Sequence, residues 1–140
     1  MQTSLFWIAL AAIAGALAFI RLAPSDPARW HVPSEISENK DFDAGVERIV
    51  KADPDGLARL HEVILATPRT RVLAGSPQDA MVTYITRSAV FGFPDYTTVQ
   101  LDGDSLKIHA RLRFGLSDTG VNRDRVQRWI KTWGGGALQP

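Results

Sequence analysis

Leu106 to Phe114 reads LKIHARLRF, the most regular pattern in the chain. Leu106, Ile108, Ala110, Leu112 and Phe114 alternate with Lys107, His109, Arg111 and Arg113. Successive side chains of a strand point to opposite faces, so strict alternation over this length predicts a half-buried strand with one apolar and one cationic face. Working upstream, Asp102-Gly103-Asp104-Ser105 reads as a four-residue hairpin loop to a strand at Tyr96–Leu101. Pairing Leu101 with Leu106 sets Val99 opposite Ile108 and Thr97 opposite Ala110, all inward, with Thr98 opposite His109 and Tyr96 opposite Arg111 outward.

Further out, FGFPD (Phe91–Asp95) is a turn, and Met81–Val90 is a strand by its β-branched and aromatic content. If the turn closes with Ala89 against Tyr96, Arg87 lies opposite Thr98 and beside His109 and completes a cationic cluster. That register buries Val82 and Tyr84 but exposes Met81 and Ile85. A slip of one residue instead turns Arg87 into the core, where Asp95 or Asp118 would have to pair it. Short strands are expected at Val46–Val50 and Arg71–Ala74. Between them Asp53 and Pro54 open a helix carrying Leu57, Leu60, Val63 and Ile64 at helical spacing, and Pro68 stops it. A last helix runs from about Gly120 to Trp133. Asp118 or Thr119 caps it, and Val121, Val126, Trp129, Ile130 and Trp133 form its buried stripe. The sum is an α+β fold: a two-layer, mostly antiparallel sheet with helices on the apolar face and the cationic face open.

The 140 residues suffice for one such domain and a short appendage. Residues 1–23 hold 18 of the 63 apolar residues. Within them Leu5–Ile20 has no charge, and extension through Ala23 gives a helix of about 28 Å if Arg21 reaches to the interface. That predicts a single-pass transmembrane or signal-anchor segment over residues 1–23. A cleaved signal is the competing reading, since Ala16-Leu17-Ala18 fits a cleavage site, although MQTS lacks a basic start. Arg21 and Arg29 follow the span, which by the positive-inside rule favours a cytoplasmic domain. Residues 24–45, rich in Pro, Ser and charge, read as a tether; residues 46–133 are the domain, and residues 134–140 a flexible tail.

Sixteen basic and fifteen acidic residues leave a net charge of +1, which argues against a nucleic-acid partner. The charge is segregated: residues 24–104 carry a net −5 and residues 105–140 a net +5. With no cysteine there is no disulfide, thiolate metal site or cysteine nucleophile. His31, His61 and His109 are isolated in sequence and lack metal-binding spacing, and no phosphate-cradling glycine motif opens a helix. No cofactor and no metal is expected. Ser88 and Ser117 lack the surroundings of a serine nucleophile, and Ser117, Asp118 and Thr119 serve more simply as helix caps.

TRSAVFGFPDYTTV (Thr86–Val99) and RFGLSDTGVNRDRVQRWI (Arg113–Ile130) resemble the bacterial and plastid family known as domain of unknown function 1499 (DUF1499). Two spaced motifs in the right order carry the resemblance over roughly residues 50–132. The family positions fall on Arg87, Ser88, Phe91, Gly92, Phe93 and Asp95, then on Arg113, Gly115, Ser117, Asp118, Gly120, Asn122 and Arg123. The chain departs from the family at a P-N-x-V-S-S motif, where it reads VPSEISENK (Val32–Lys40). The resemblance brings no established activity. It implies an envelope protein anchored in the bacterial inner membrane, with the soluble domain on the periplasmic side, against the charge rule.

Two functions follow as expectations. In the first, the domain is a non-enzymatic binding or structural module whose cationic face takes an anionic ligand, lipid headgroup or partner protein; the candidate binding residues are Arg87, Asp95, His109, Arg111, Arg113, Asp118, Asn122 and Arg123. In the second, it is an enzyme in which Arg87 and Arg113 hold an anionic substrate and Asp95 or Asp118 is the acid/base group. A buried pocket joining those four favours the enzyme; a flat basic face favours the module.

Overall fold

The computed structural model describes residues 1–134. The expected tail, residues 134–140, lies outside the described residues except for Gly134. Six strands form one antiparallel sheet, β1 (Lys40–Phe42), β2 (Gly45–Lys51), β3 (Thr70–Ser76), β4 (Met81–Arg87), β5 (Pro94–Asp102) and β6 (Ser105–Leu112), in the order β1-β2-β6-β5-β4-β3. The helices are α1 (Gln2–Leu22), α2 (Pro27–Trp30), α3 (Gly56–Leu65) and α4 (Val121–Trp133). The fold is α+β, as the alternation in β6 predicts.

The apolar face of the sheet meets α3 and α4. Val46, Val50, Val82, Tyr84, Val99, Leu106, Ile108 and Ala110 pack against Leu57, Leu60, Ile64, Val126, Trp129 and Trp133 in one core. In α3 the expected cap is absent: the helix starts at Gly56, and the Asp53 carboxylate instead accepts from Arg59 at 3.1 Å. In α4 the Asp118 carboxylate does cap, accepting from the backbone N–H of Gly120 at 2.8 Å and of Asn122 at 3.1 Å. The buried stripe differs from the expectation at its start: Val121 is exposed, while Asn122 and Arg125 are buried.

The β5–β6 register is the expected one, with Leu101 opposite Leu106 and Thr98 opposite His109. The strands continue to Asp102 and Ser105, leaving a two-residue turn whose first residue, Gly103, has φ +61°. That conformation suits glycine in a tight hairpin. The β4–β5 register is displaced by four residues. Ile85, not Ala89, pairs with Tyr96, and Arg87 lies opposite Pro94, not Thr98. The even shift preserves the faces, so Val82 and Tyr84 still point inward. It also places Arg87 about 13 Å along the strand from the level of His109. The reason is that β4 stops at Arg87. Residues 88–93 form a wider loop, closed by bonds from Ser88 N to Phe93 O (3.0 Å) and from Phe93 N to Ser88 Oγ (2.9 Å).

Residues 24–45, expected as a tether, carry structure of their own. They contain α2 and the edge strand β1 and bury Ile36, and the part from Pro24 to Ser34 lies across the second face of the sheet. Thr3–Leu22 of α1 is long and apolar enough to cross a membrane, a composition a signal sequence shares, and that stretch is not buried in the fold.

Candidate functional site

The cationic face of β6 is roofed. Trp30 stacks on Tyr96 with ring centroids 3.9 Å apart and planes 9° from parallel. Beneath it, Arg111 donates to the Trp30 carbonyl at 2.7 Å and to Thr98 Oγ1 at 3.1 Å. Thr98 bonds Thr83, and Thr83 bonds His31, each at 2.9 Å. Arg113 donates to the Pro24 carbonyl at 2.8 Å and to the Tyr96 hydroxyl at 3.0 Å. These guanidinium groups are occupied by backbone carbonyls of the covering segment, so the expected open face is closed by the chain itself. Burial pushes the Arg111 guanidinium down to about 10.

His109 sits under the same cover, 3.4 Å from Ser34 Oγ. Burial, then the Arg111 charge, push its pKa from 6.5 down to about 4, although the Glu47 carboxylate stands 3.8 Å from Nε2. A base held neutral in the fold favours unfolding wherever the unfolded chain binds the proton. Stability is therefore complete above pH 6.5 and falls as pH drops toward 4. Thermal melts of the full chain are expected to show this slope, and His109→Gln is expected to flatten it; equal slopes in both would contradict the assignment.

On the helix side of the sheet end, a second set of residues converges. Arg125, buried on α4, donates to Asp95 Oδ2 through both Nη atoms at 3.2 Å and to the Asn122 side-chain oxygen at 2.9 Å. Asn122 Nδ2 donates to Asp118 at 2.7 Å. Burial raises the Asp95 pKa above the ordinary carboxylate value; Arg125 pulls against it, and Asp118 adds to it. Asp95 thus joins Asp118 through Arg125 and Asn122, whereas Arg113 lies on the opposite face.

Arg125 and Asp95 of this network line a cleft of about 650 Å³ between the end of α3, the loop after β4, and α4. Arg69, Arg87, Arg125 and Arg128 line it with Thr67, Ser88, Thr132 and Trp129. Asp95 is its one carboxylate among the described lining residues. Arg69 adopts φ +58°, and its Nε donates to the Arg87 carbonyl at 3.1 Å, while Arg87 Nη1 donates to Gly92 O at 2.8 Å. Among the described residues, Arg69, Arg87 and Arg128 make no ion pair.

A family model described as a protein of unknown function (DUF1499) matches residues 21–132. The chain belongs to this family. No curated protein matches it. The DUF1499 match begins at Arg21, so it includes the covering segment and agrees with its place in the domain. Of the motif residues carried over from the family, Asp95, Asp118 and Asn122 converge at the network and Arg87 reaches the cleft beside it. Arg123 turns outward, bonded to Asp124 at 2.9 Å. His109, Arg111 and Arg113 lie under the roof.

Sequence reasoning missed Arg69, Arg125 and Arg128 as site residues. Arg125 had one visible signal, since it stands three residues after Asn122 and one before Val126, on the buried side of α4. The histidines do not gather either: His31 bonds Thr83, His61 bonds Tyr84 at 2.8 Å, and His109 bonds Ser34.

Proposed function

We propose that this DUF1499 chain is a membrane-anchored, non-enzymatic binding module that takes a small carboxylate- or phosphate-bearing ligand in the arginine-lined cleft. One observation carries the reading. Arg69, Arg87 and Arg128 all line this cleft with no ion-pair partner among the described residues, and the one carboxylate in the lining, Asp95, is already held by Arg125. Planar guanidinium forks match carboxylate and phosphate oxygens in pairs, and a partly enclosed site limits screening. The Thr67 hydroxyl, which accepts from Trp129 Nε1 at 2.7 Å, keeps its own O–H to donate. α1 serves as the anchor. The family resemblance favours the periplasmic side of a bacterial inner membrane, while Arg21 and Arg29 after the span favour the cytoplasmic side.

A catalytic use of the same cleft draws on the raised pKa of Asp95. It is the weaker reading, because of Arg87, Asp95, Arg113 and Asp118 only the first two line the cleft.

Calorimetric titration of the detergent-solubilised full chain with inorganic phosphate and with citrate is expected to show saturable binding that weakens as salt rises. Arg128→Gln or Arg69→Gln is expected to weaken it about tenfold, the loss of one charge-assisted bond pair, while His109→Gln leaves it unchanged. Absence of binding, or loss in His109→Gln but not in Arg128→Gln, would contradict the cleft.

A further inference from the structure

After α1, six large hydrophobic side chains are exposed among the described residues: Val32, Leu65, Val90, Phe91, Leu116 and Val121. All but Val32 lie at one end of the domain, where α3, β4 and β6 finish and β5 and α4 begin. Three are at loop tips, with Val90 at 73%, Phe91 at 50% and Leu116 at 92% exposure. Several large apolar side chains gathered at one end mark a contact surface.

The same end receives α1. The Phe19 ring meets the Phe114 ring at 6.2 Å, and the Arg21 side chain packs so closely on Gly92 that a Cβ there would lie 2.9 Å from its Nε. No slack separates the helix from the domain, since Ala23 is buried and the Pro24 carbonyl accepts from Arg113. A hollow of about 370 Å³ beside this junction is lined by Arg21, Arg69, Arg71 and Arg87, with no carboxylate. Among the described residues none of the four makes an ion pair.

The opposite end has the opposite character. Its turns carry Asp53, Asp55, Asp79, Asp102 and Asp104, and no large hydrophobic is exposed among them. Carboxylates stand at the α1 end too, but most are engaged: Asp118 caps α4, Asp95 is held by Arg125, Asp124 pairs with Arg123, Asp41 pairs with Arg48, and Asp26 accepts from the Ala28 N–H, while Asp43 lies at the far edge of the sheet between β1 and β2.

From this polarity we propose that the α1 end of the domain rests on the bilayer that α1 enters. Val90, Phe91 and Leu116 insert at headgroup depth, and the arginine-lined hollow takes the phosphate of an anionic phospholipid. This rests on α1 being a membrane anchor. Amphipathic surfaces bind bilayers through shallow apolar insertion and basic attraction to anionic lipid, and the acidic end is then held away from the negative surface.

The chain has no cysteine, so spin labels can be placed singly on the full-length protein. Phe91→Cys and Leu116→Cys probe the docking loops, Gln78→Cys the acidic end and Ile13→Cys the helix. In vesicles of mixed phosphatidylcholine and phosphatidylglycerol, labels at 91 and 116 should be several-fold more accessible to oxygen, relative to an aqueous nickel complex, than the label at 78. The ratio should fall in phosphatidylcholine alone and in an Arg71→Glu background. Labels at 91 and 116 that match 78 while 13 reads hydrocarbon would overturn docking and leave the anchor standing. A water-like label at 13 as well would overturn both. Shielding that follows protein density instead of lipid composition would mean that copies of the chain cover these loops, and would also overturn the proposal.

Discussion

Trp129→Ala is expected to lower stability by about 3–5 kcal/mol, the range for removing a fully packed tryptophan. Its ring is 4% exposed and belongs to the core between α4 and the sheet. Its Nε1–H reaches Thr67 Oγ1 at 2.7 Å, tying α4 to the turn after α3. The substitution therefore opens a cavity, removes a buried hydrogen bond and loosens a wall of the cleft together. For a domain of this size the loss corresponds to a fall of roughly 15–30 °C in Tm. Trp129→Phe should retain most of the packing and lose about 1 kcal/mol with the bond. Unchanged melting of Trp129→Ala would mean that α4 stands off the sheet.

The second large effect is expected at Asp95. Its side chain is 14% exposed and that of its partner Arg125 is 9% exposed. Asp95→Ala leaves a buried guanidinium facing only Asn122, and breaking such a pair from one side costs about 3–5 kcal/mol. The pair itself need not stabilise the fold, because both charges give up water on burial; burial, with Asp118 adding to it, holds the Asp95 pKa above its ordinary value despite Arg125. Replacing both members, as Asp95→Leu with Arg125→Met, is therefore expected to recover most of the loss. Urea denaturation of the two single variants and the double variant measures the coupling. Additive losses would show that the two residues act independently.

The sheet was legible where side-chain alternation carries the information. LKIHARLRF assigns β6 and its faces, and the tight turn at Gly103 fixes the β5 register because a two-residue loop leaves no freedom to slip. The β4 register slipped by four because FGFPD reads as a compact turn, whereas the strand already ends at Arg87. What closes the wider loop is the Ser88 backbone and hydroxyl bonding to Phe93, which leaves no trace in hydrophobic pattern.

The covering segment was illegible for a related reason. Its grip on the sheet comes from the carbonyls of Pro24 and Trp30 and from one tryptophan ring, set in a stretch whose prolines and charges have no period. With that cover unseen, the cationic face of Arg111 and Arg113 looked available. The cleft was hidden because its arginines come from the α3–β3 turn, the end of β4 and the outer side of α4, which only the tertiary fold brings together. Asp95, Asp118 and Asn122 were reachable through the motifs. Arg125, which joins them, was not, since a charged residue on a helix is ordinarily solvated.

Nitrogen-15 NMR of the arginine Nε–H groups during addition of inorganic phosphate to the detergent-solubilised full chain reads the cleft and the covered sheet face separately. The Arg69, Arg87 and Arg128 resonances are expected to shift together and saturate, while Arg111 and Arg113, bonded to the covering segment, stay in place. Shifts confined to Arg111 and Arg113 would return the site to the sheet face and contradict the account.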